Sequence, residues 1–247
     1  IVNGVLAAAV AAAIIILALY MSQMFRAENA RIFYDVMADS ISEKIDSRYF
    51  ARYKSAAASL GGNGHIVNLL NGIETSEENA DVVINTFGES LGAEIIYIMD
   101  LNGEVVSSTA FDGISLKGKN YFFRPYFKGA AAGENIVYPV LGVTTDKRGI
   151  YFSSPAADNG KILGVIVIKA GVSHIDETLE EITAPSALIS PQGVIFSSNR
   201  QELLFRTVYP LGTEEREALK KSRQFSDVEI SPFASDRGRI KMDGAYF

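Results

Sequence analysis

The chain of 247 residues contains no cysteine, so it has no disulfide framework and no cysteine-based zinc or iron-sulfur site. Histidine is nearly absent as well, with His65 and His174 the only two. There is no P-loop and no His-Glu-x-x-His, so NTPase and zinc-protease chemistries lack their basic parts. Acidic pairs such as Glu77-Glu78 and Glu180-Glu181 fall on expected helix surfaces and read as solvated. Neither catalysis, a metal nor a cofactor is expected of this chain. A basic surface is missing too: 23 Lys+Arg against 29 Asp+Glu leave a net charge of −6, which argues against nucleic acid as a partner.

Two further absences divide the chain. No charged residue precedes Arg26, and no Gly or Pro lies between Gly4 and Gly61. The first marks the apolar run Val5 to Met21, which with the residues before it reaches the roughly 20 needed to cross hydrocarbon. It is expected to be a transmembrane helix over 1–25. A signal peptide is the rival reading, but its apolar region is shorter and ends in small residues, whereas this one ends in Leu19-Tyr20-Met21. The flanking Arg26, Glu28 and Arg31 mix both signs, so charge does not orient the segment. A chain that starts at Ile rather than Met is expected to be a piece of a longer one.

The second absence lets a helix continue. Phe33, Met37, Ile41, Ile45 and Tyr49 recur every four residues, with Ala30, Tyr34 and Tyr53 beside them. A stalk helix is expected over 26–61, its stripe packed partly on its own domain and partly against the same helix of a second subunit. Gly61-Gly62-Asn63-Gly64 ends it. A Thr75-x-x-Glu78 capping box then starts a helix over 76–91.

Beyond it the period changes to two. Strands are expected at 94–100, 104–110, 135–145, 149–156 and 162–170, with an Asn102-Gly103 turn joining the first two. A helix near 173–182 follows, then SALISPQGVIFSSN (186–199), which echoes YIMDLNGEVVSST (97–109) as a weak internal repeat. A helix at 213–222 and strands at 227–232 and 238–247 complete an α+β pattern of antiparallel sheet with helices on its faces.

The segment from Gly118 to Gly133 holds five aromatics, Tyr121, Phe122, Phe123, Tyr126 and Phe127, around Arg124. Lys117, Lys119, Arg124 and Lys128 are four cations with no acid among them. Pro125 suits the first turn of a helix, whose free amides at Tyr126 and Phe127 would lie beside the guanidinium and suit a carboxylate. Lys169 ends an otherwise apolar central strand, where an unpaired ammonium would be expensive. Two such cations match a small dianion with a carboxylate at each end. Tyr151, Ser153, Thr144 and Thr145 supply hydroxyl donors; core and turn roles remain open for each.

The runs KNYFFRPYFKGAAAG, LGVTTDKRGIYFSSP and ILGVIVIK closely resemble the membrane-distal half of double-Cache sensor domains, above all those of four-carbon-dicarboxylate sensor histidine kinases. The resemblance is strongest over 94–180. It implies two stacked PAS-like sheet domains outside the cytoplasm, a membrane-distal one over 62–182 and an incomplete membrane-proximal one over 183–247. It implies anchoring in the inner membrane, a homodimer through the stalk, and a cytoplasmic output domain elsewhere in the protein. Ligand contacts fall on Arg124, Tyr126, Thr145, Tyr151 and Lys169, with Phe127 and Ser153 beside them. Amino-acid sensors of this type carry an acid downstream of the lysine, where this chain has Ala170-Gly171, so a carboxylate is favoured over an amino acid. Diguanylate cyclases and chemoreceptors use similar sensors, and a ligand-blind dimerisation module is the remaining alternative.

Overall fold

A computed structural model describes residues 2–73, 76–142, 147–225 and 228–232, apart from the side chains of residues 2–13 and Ser76. The chain divides into two compact units, 1–43 and 44–247.

The first unit is helical: helix α1 spans Val2–Ile45. Among the described residues no helix is long and apolar enough to cross a membrane. Side chains are described only from Ile14, and the run from there to Phe25 is 12 residues, short of the roughly 20 that hydrocarbon requires. The span expected over 1–25 is therefore not seen, and the rest of it lies outside the described side chains. Phe33 and Tyr34 of the expected stripe are exposed.

In the second unit a π-helical turn (Asp46–Phe50) leads into α2 (Ala51–Gly61), α3 (Gly64–Leu70) and α4 (Ser76–Leu91). The stripe becomes buried here, at Ile45, Tyr49 and Tyr53. Helix α3 was not anticipated, because the glycine cluster reads only as a stop. Asn63 makes it a start as well, its side chain accepting from the His65 amide at 3.0 Å. Thr75 of the capping box lies outside the described residues.

A five-stranded sheet follows, built from β1 (Ile95–Asp100), β2 (Val105–Ser108), β5 (Ile136–Leu141), β6 (Arg148–Asp158) and β7 (Lys161–Gly171). Two-residue strands β3 (Ala110–Phe111) and β4 (Ile114–Ser115), too short to show a period, form a separate ribbon, and α5 (Pro125–Ala131) precedes β5. The sheet order is β2-β1-β7-β6-β5, with every pair antiparallel. Central β7 is apolar on both faces, as its position demands. Pro139 sits in the edge strand β5, where a missing amide costs no ladder bond.

One face of the sheet, from Ile96, Ile150, Phe152, Ile166 and Ile168, packs against the helices. Phe152 is ringed by Tyr49, Phe50 and Tyr53, the last stacked on it at 5.2 Å. The other face carries Tyr97, Tyr138, Tyr151, Val165, Val167 and Lys169 and is covered by α5.

Helix α6 (Ser173–Glu180) leads to the hairpin β8 (Ala187–Ile189) and β9 (Ile195–Ser198), then to α7 (Thr213–Ser222). The strand expected at 227–232 is not formed among the described residues, where Pro232 makes only an isolated bridge to Thr207. The strand expected at 238–247 lies outside them.

Candidate functional site

Helix α5 starts at Pro125, whose fixed φ suits the first helical position, and Arg124 precedes it in extended geometry (φ −73°, ψ 134°). That turn aims the guanidinium inward, and the residue is only 2% exposed. Its Nη1 donates to the Ser222 and Arg223 carbonyls at 3.0 and 2.7 Å, the orphan acceptors at the end of α7. Phe123 offers its ring to both Arg124 and Arg223, at 5.1 and 5.5 Å. The Arg124 Nε is buried without a hydrogen-bond partner among the described residues. Burying such a donor unsatisfied costs on the order of 1–3 kcal/mol.

The expected cluster of four cations does not survive folding. Lys117, Lys119 and Lys128 are exposed, and Lys117 pairs with Glu77 on α4. Helix α5 is seven residues long, so its amides and dipole add little. The attraction for an anion rests on the guanidinium.

Lys169, 1% exposed, is the second buried cation on this face. Its ammonium lies 2.7 Å from the Glu94 carboxylate and 5.8 Å from the Phe111 ring centroid. No acid follows Lys169 in its own strand, where Ala170-Gly171 stand; the one beside it comes from the residue before the neighbouring strand β1. Two glycines paired across β6 and β7 make room for it. A Cβ at Gly149 would fall 2.4 Å from Cε of Lys169, and one at Gly171 would fall 2.7 Å from the Glu94 carboxylate. Period-two alternation puts Glu94 on the face of Ile96, opposite Lys169. Only the strand end and the bare Gly171 let it turn across.

Between the two cations stand buried tyrosines. Tyr126 stacks on Tyr151 with centroids 5.2 Å apart, lies 6.2 Å from Tyr138, and accepts a 2.8 Å hydrogen bond from the Tyr97 hydroxyl. Burial pushes Tyr97, Tyr126, Tyr138 and Tyr151 above the ordinary tyrosine value, so all four are neutral donors at physiological pH. For Tyr151, burial is the largest cause; Arg124 opposes the rise and Glu94 adds to it. Its hydroxyl thus lies within electrostatic reach of both ends of the site.

Arg124, Tyr126, Tyr151 and Lys169 share one face of the sheet. Ser153 is on it too, but its hydroxyl donates to the Tyr126 carbonyl at 2.9 Å and ties α5 to the sheet. Phe127 is core, 5.6 Å from Phe122. Thr145 lies outside the described residues. Glu94, Tyr97, Tyr138 and the end of α7 were not foreseen. The two tyrosines were legible as inward positions of expected strands; the contact with α7 had no local signal.

No family model matches the chain. It is 32% identical over 129 residues to the C4-dicarboxylate transport sensor protein DctB of Pseudomonas aeruginosa, a match covering 52% of this chain and 21% of that protein. The chain therefore spans about a fifth of the length of that relative. In structure it superposes on the sensor domain of the Vibrio cholerae histidine kinase DctB with a TM-score of 0.69 at 24% identity, covering 81% of this chain and 80% of that one. The ligand-binding domain of the Campylobacter jejuni chemoreceptor Tlp3 in complex with 4-methylisoleucine follows at a TM-score of 0.58 and 17% identity, with 69% of each chain covered. Both solved chains are sensory domains, and their likeness is one of fold. The chain thus resembles the DctB sensor proteins in sequence over about half of its length, and the DctB sensor domain in fold.

Proposed function

We propose that the chain is the extracytoplasmic sensor region of a bacterial membrane-bound receptor of the sensor histidine kinase type, and that it binds a small carboxylate under α5. In this reading 1–25 anchor it in the inner membrane and 26–61 form a stalk that pairs in a homodimer. Residues 62–182 are then the membrane-distal Cache domain and 183–247 the membrane-proximal one. The observation that carries the reading is Arg124: a buried guanidinium with an unsatisfied Nε, on the same sheet face as Lys169 and the Tyr126 and Tyr151 hydroxyls. A carboxylate satisfies a guanidinium and neutral phenol donors together. Thr145 is a further hydroxyl in this reading, with Phe127 and Ser153 shaping the wall. Four-carbon dicarboxylates are the first candidates, because the relative from Pseudomonas aeruginosa is named a sensor for their transport.

The signal has a route. Arg124 also holds the end of α7, so a carboxylate that draws the guanidinium toward itself changes what holds that helix. Such a ligand needs only to bind one arrangement better than the other to shift their populations. A second reading, an α-amino acid, has one observation in its favour: Glu94 provides an acceptor for an ammonium group beside Lys169.

Thermal unfolding against succinate, malate, fumarate and a set of amino acids decides between these. A dicarboxylate at about a hundred times its Kd adds about 2.7 kcal/mol and raises Tm by several degrees. Arg124→Ala abolishes that rise. Stabilisation by amino acids alone supports the second reading, and stabilisation by nothing refutes both.

A further inference from the structure

Glu94 carries the inference furthest. Without it the face beneath α5 would hold two buried cations, Arg124 and Lys169; with it, the described residues there carry one net positive charge. Two further cations border this face and are exposed: Arg223, which shares the Phe123 ring with Arg124, and Lys147, over the Phe111 ring at 4.7 Å and paired with Asp112. The Glu94 side chain is only 19% exposed, and its carboxylate occupies the volume that a side chain at Gly171 would take. A buried ion pair of this kind is held in place, since removing either partner strands the other in a poor solvent.

We infer that Glu94 is an internal carboxylate occupying the subsite of the ligand's second carboxylate, and so sets the charge class that the site accepts. This rests on the carboxylate reading above. A monoanion meets Arg124 and leaves the Glu94–Lys169 pair intact. A dianion reaches Lys169 only by competing with Glu94, and its second charge enters against a carboxylate already there. The penalty falls on the dianion alone, which makes Glu94 a specificity-determining residue.

The test compares succinate with butanoate, which has the same four-carbon chain and one charge, by titration calorimetry on the whole chain in detergent. Glu94→Gln is expected to raise the ratio of succinate to butanoate affinity by about tenfold or more, since one charge at ion-pair distance is removed. Glu94→Asp retains the charge and is expected to keep the wild-type ratio. Glu94→Gln combined with Lys169→Gln returns the formal charge to one and leaves no lone ammonium, so it keeps the test open if the single variant fails to fold. Its ratio is expected to fall back to the wild-type value. An unchanged ratio in the single variant, with both acids still bound, overturns this inference and leaves the carboxylate reading standing. A variant that gains nothing for succinate but loses an amino acid overturns it as well. Binding of neither acid by any of these proteins overturns the inference together with the reading beneath it.

Discussion

Two hairpins ninety residues apart in the chain are built to one plan and differ in what surrounds them. In the first, Tyr97 pairs with Ser108, Ile98 with Ser107 and, after a bulge, Met99 with Val105. In the second, Ala187 pairs with Ser198, Leu188 with Ser197 and, after a bulge at the same place, Ile189 with Ile195. Each turn ends in a left-handed glycine, Gly103 or Gly193. Each hairpin is tied to the helix before it by a serine on an aspartate, Ser107 on Asp81 and Ser197 on Asp176. Even the closing bond repeats: the Ile96 amide donates to Thr109 Oγ1, and the Ser186 amide to Asn199 Oδ1.

What differs is the company. The first hairpin joins three long strands, and Glu94 and Tyr97 at its start belong to a buried polar site. The second has Ala184 and Ala187 in their places, and its Asp176 is engaged by Arg148, which also donates to the Phe196 carbonyl at 2.9 Å. The same local plan borders a buried polar face in one region and a structural junction in the other.

Changes at Arg124 break the comparison most. Arg124→Ala should abolish carboxylate stabilisation and also cost about 2–4 kcal/mol of stability, because two carbonyls at the end of α7 lose their donor. Hydrogen exchange at α7 reads the second effect separately from the first. The paired aspartates give the next largest contrast. Asp176→Ala strands the half-buried Arg148 and should cost about 3 kcal/mol, whereas Asp81→Ala loses a serine bond worth about 1 kcal/mol in urea unfolding. Equal costs would mean that Arg148 adds nothing. Tyr126→Phe removes the Tyr97 hydrogen bond and should cost about 1 kcal/mol, with a larger loss in ligand affinity if the hydroxyl meets the carboxylate.

The buried tyrosines also predict an alkaline pH dependence, to which the first hairpin contributes through Tyr97. Their folded values lie above the ordinary 10.0, so the unfolded chain loses these protons first as pH rises. Stability is fully present below pH 10.0 and falls above it. Tyr97→Phe should flatten that alkaline slope. The second hairpin, with Ala187 in the matching place, contributes none of it.

Elements with a clean period were legible in the sequence: helix 76–91, the five strands and the 213–222 helix stand where their patterns put them. So was the singling out of Arg124 and Lys169, both buried in the fold, because cations set among apolar and aromatic neighbours stand out in a sequence. What escaped depends on contacts distant in sequence. Glu94 reads as the polar start of a strand on the wrong face, and nothing local shows that Gly171 leaves a space for it. Lys117 and Lys119, in the turns before α5, and Lys128, on the outer side of α5, all reach solvent, and composition does not encode that dispersal. The bonds from Arg124 to Ser222 and Arg223 join positions about a hundred residues apart.

The central claim is that a small carboxylate lies on the face between Arg124 and Lys169 and not in the second hairpin. Its most direct test is nuclear Overhauser spectroscopy on the whole chain with carbon-13-labelled succinate. Contacts from the succinate methylenes to the Tyr126 and Tyr151 ring protons are the predicted result. Contacts to Phe196 instead, or unchanged succinate signals in the presence of the protein, would contradict it.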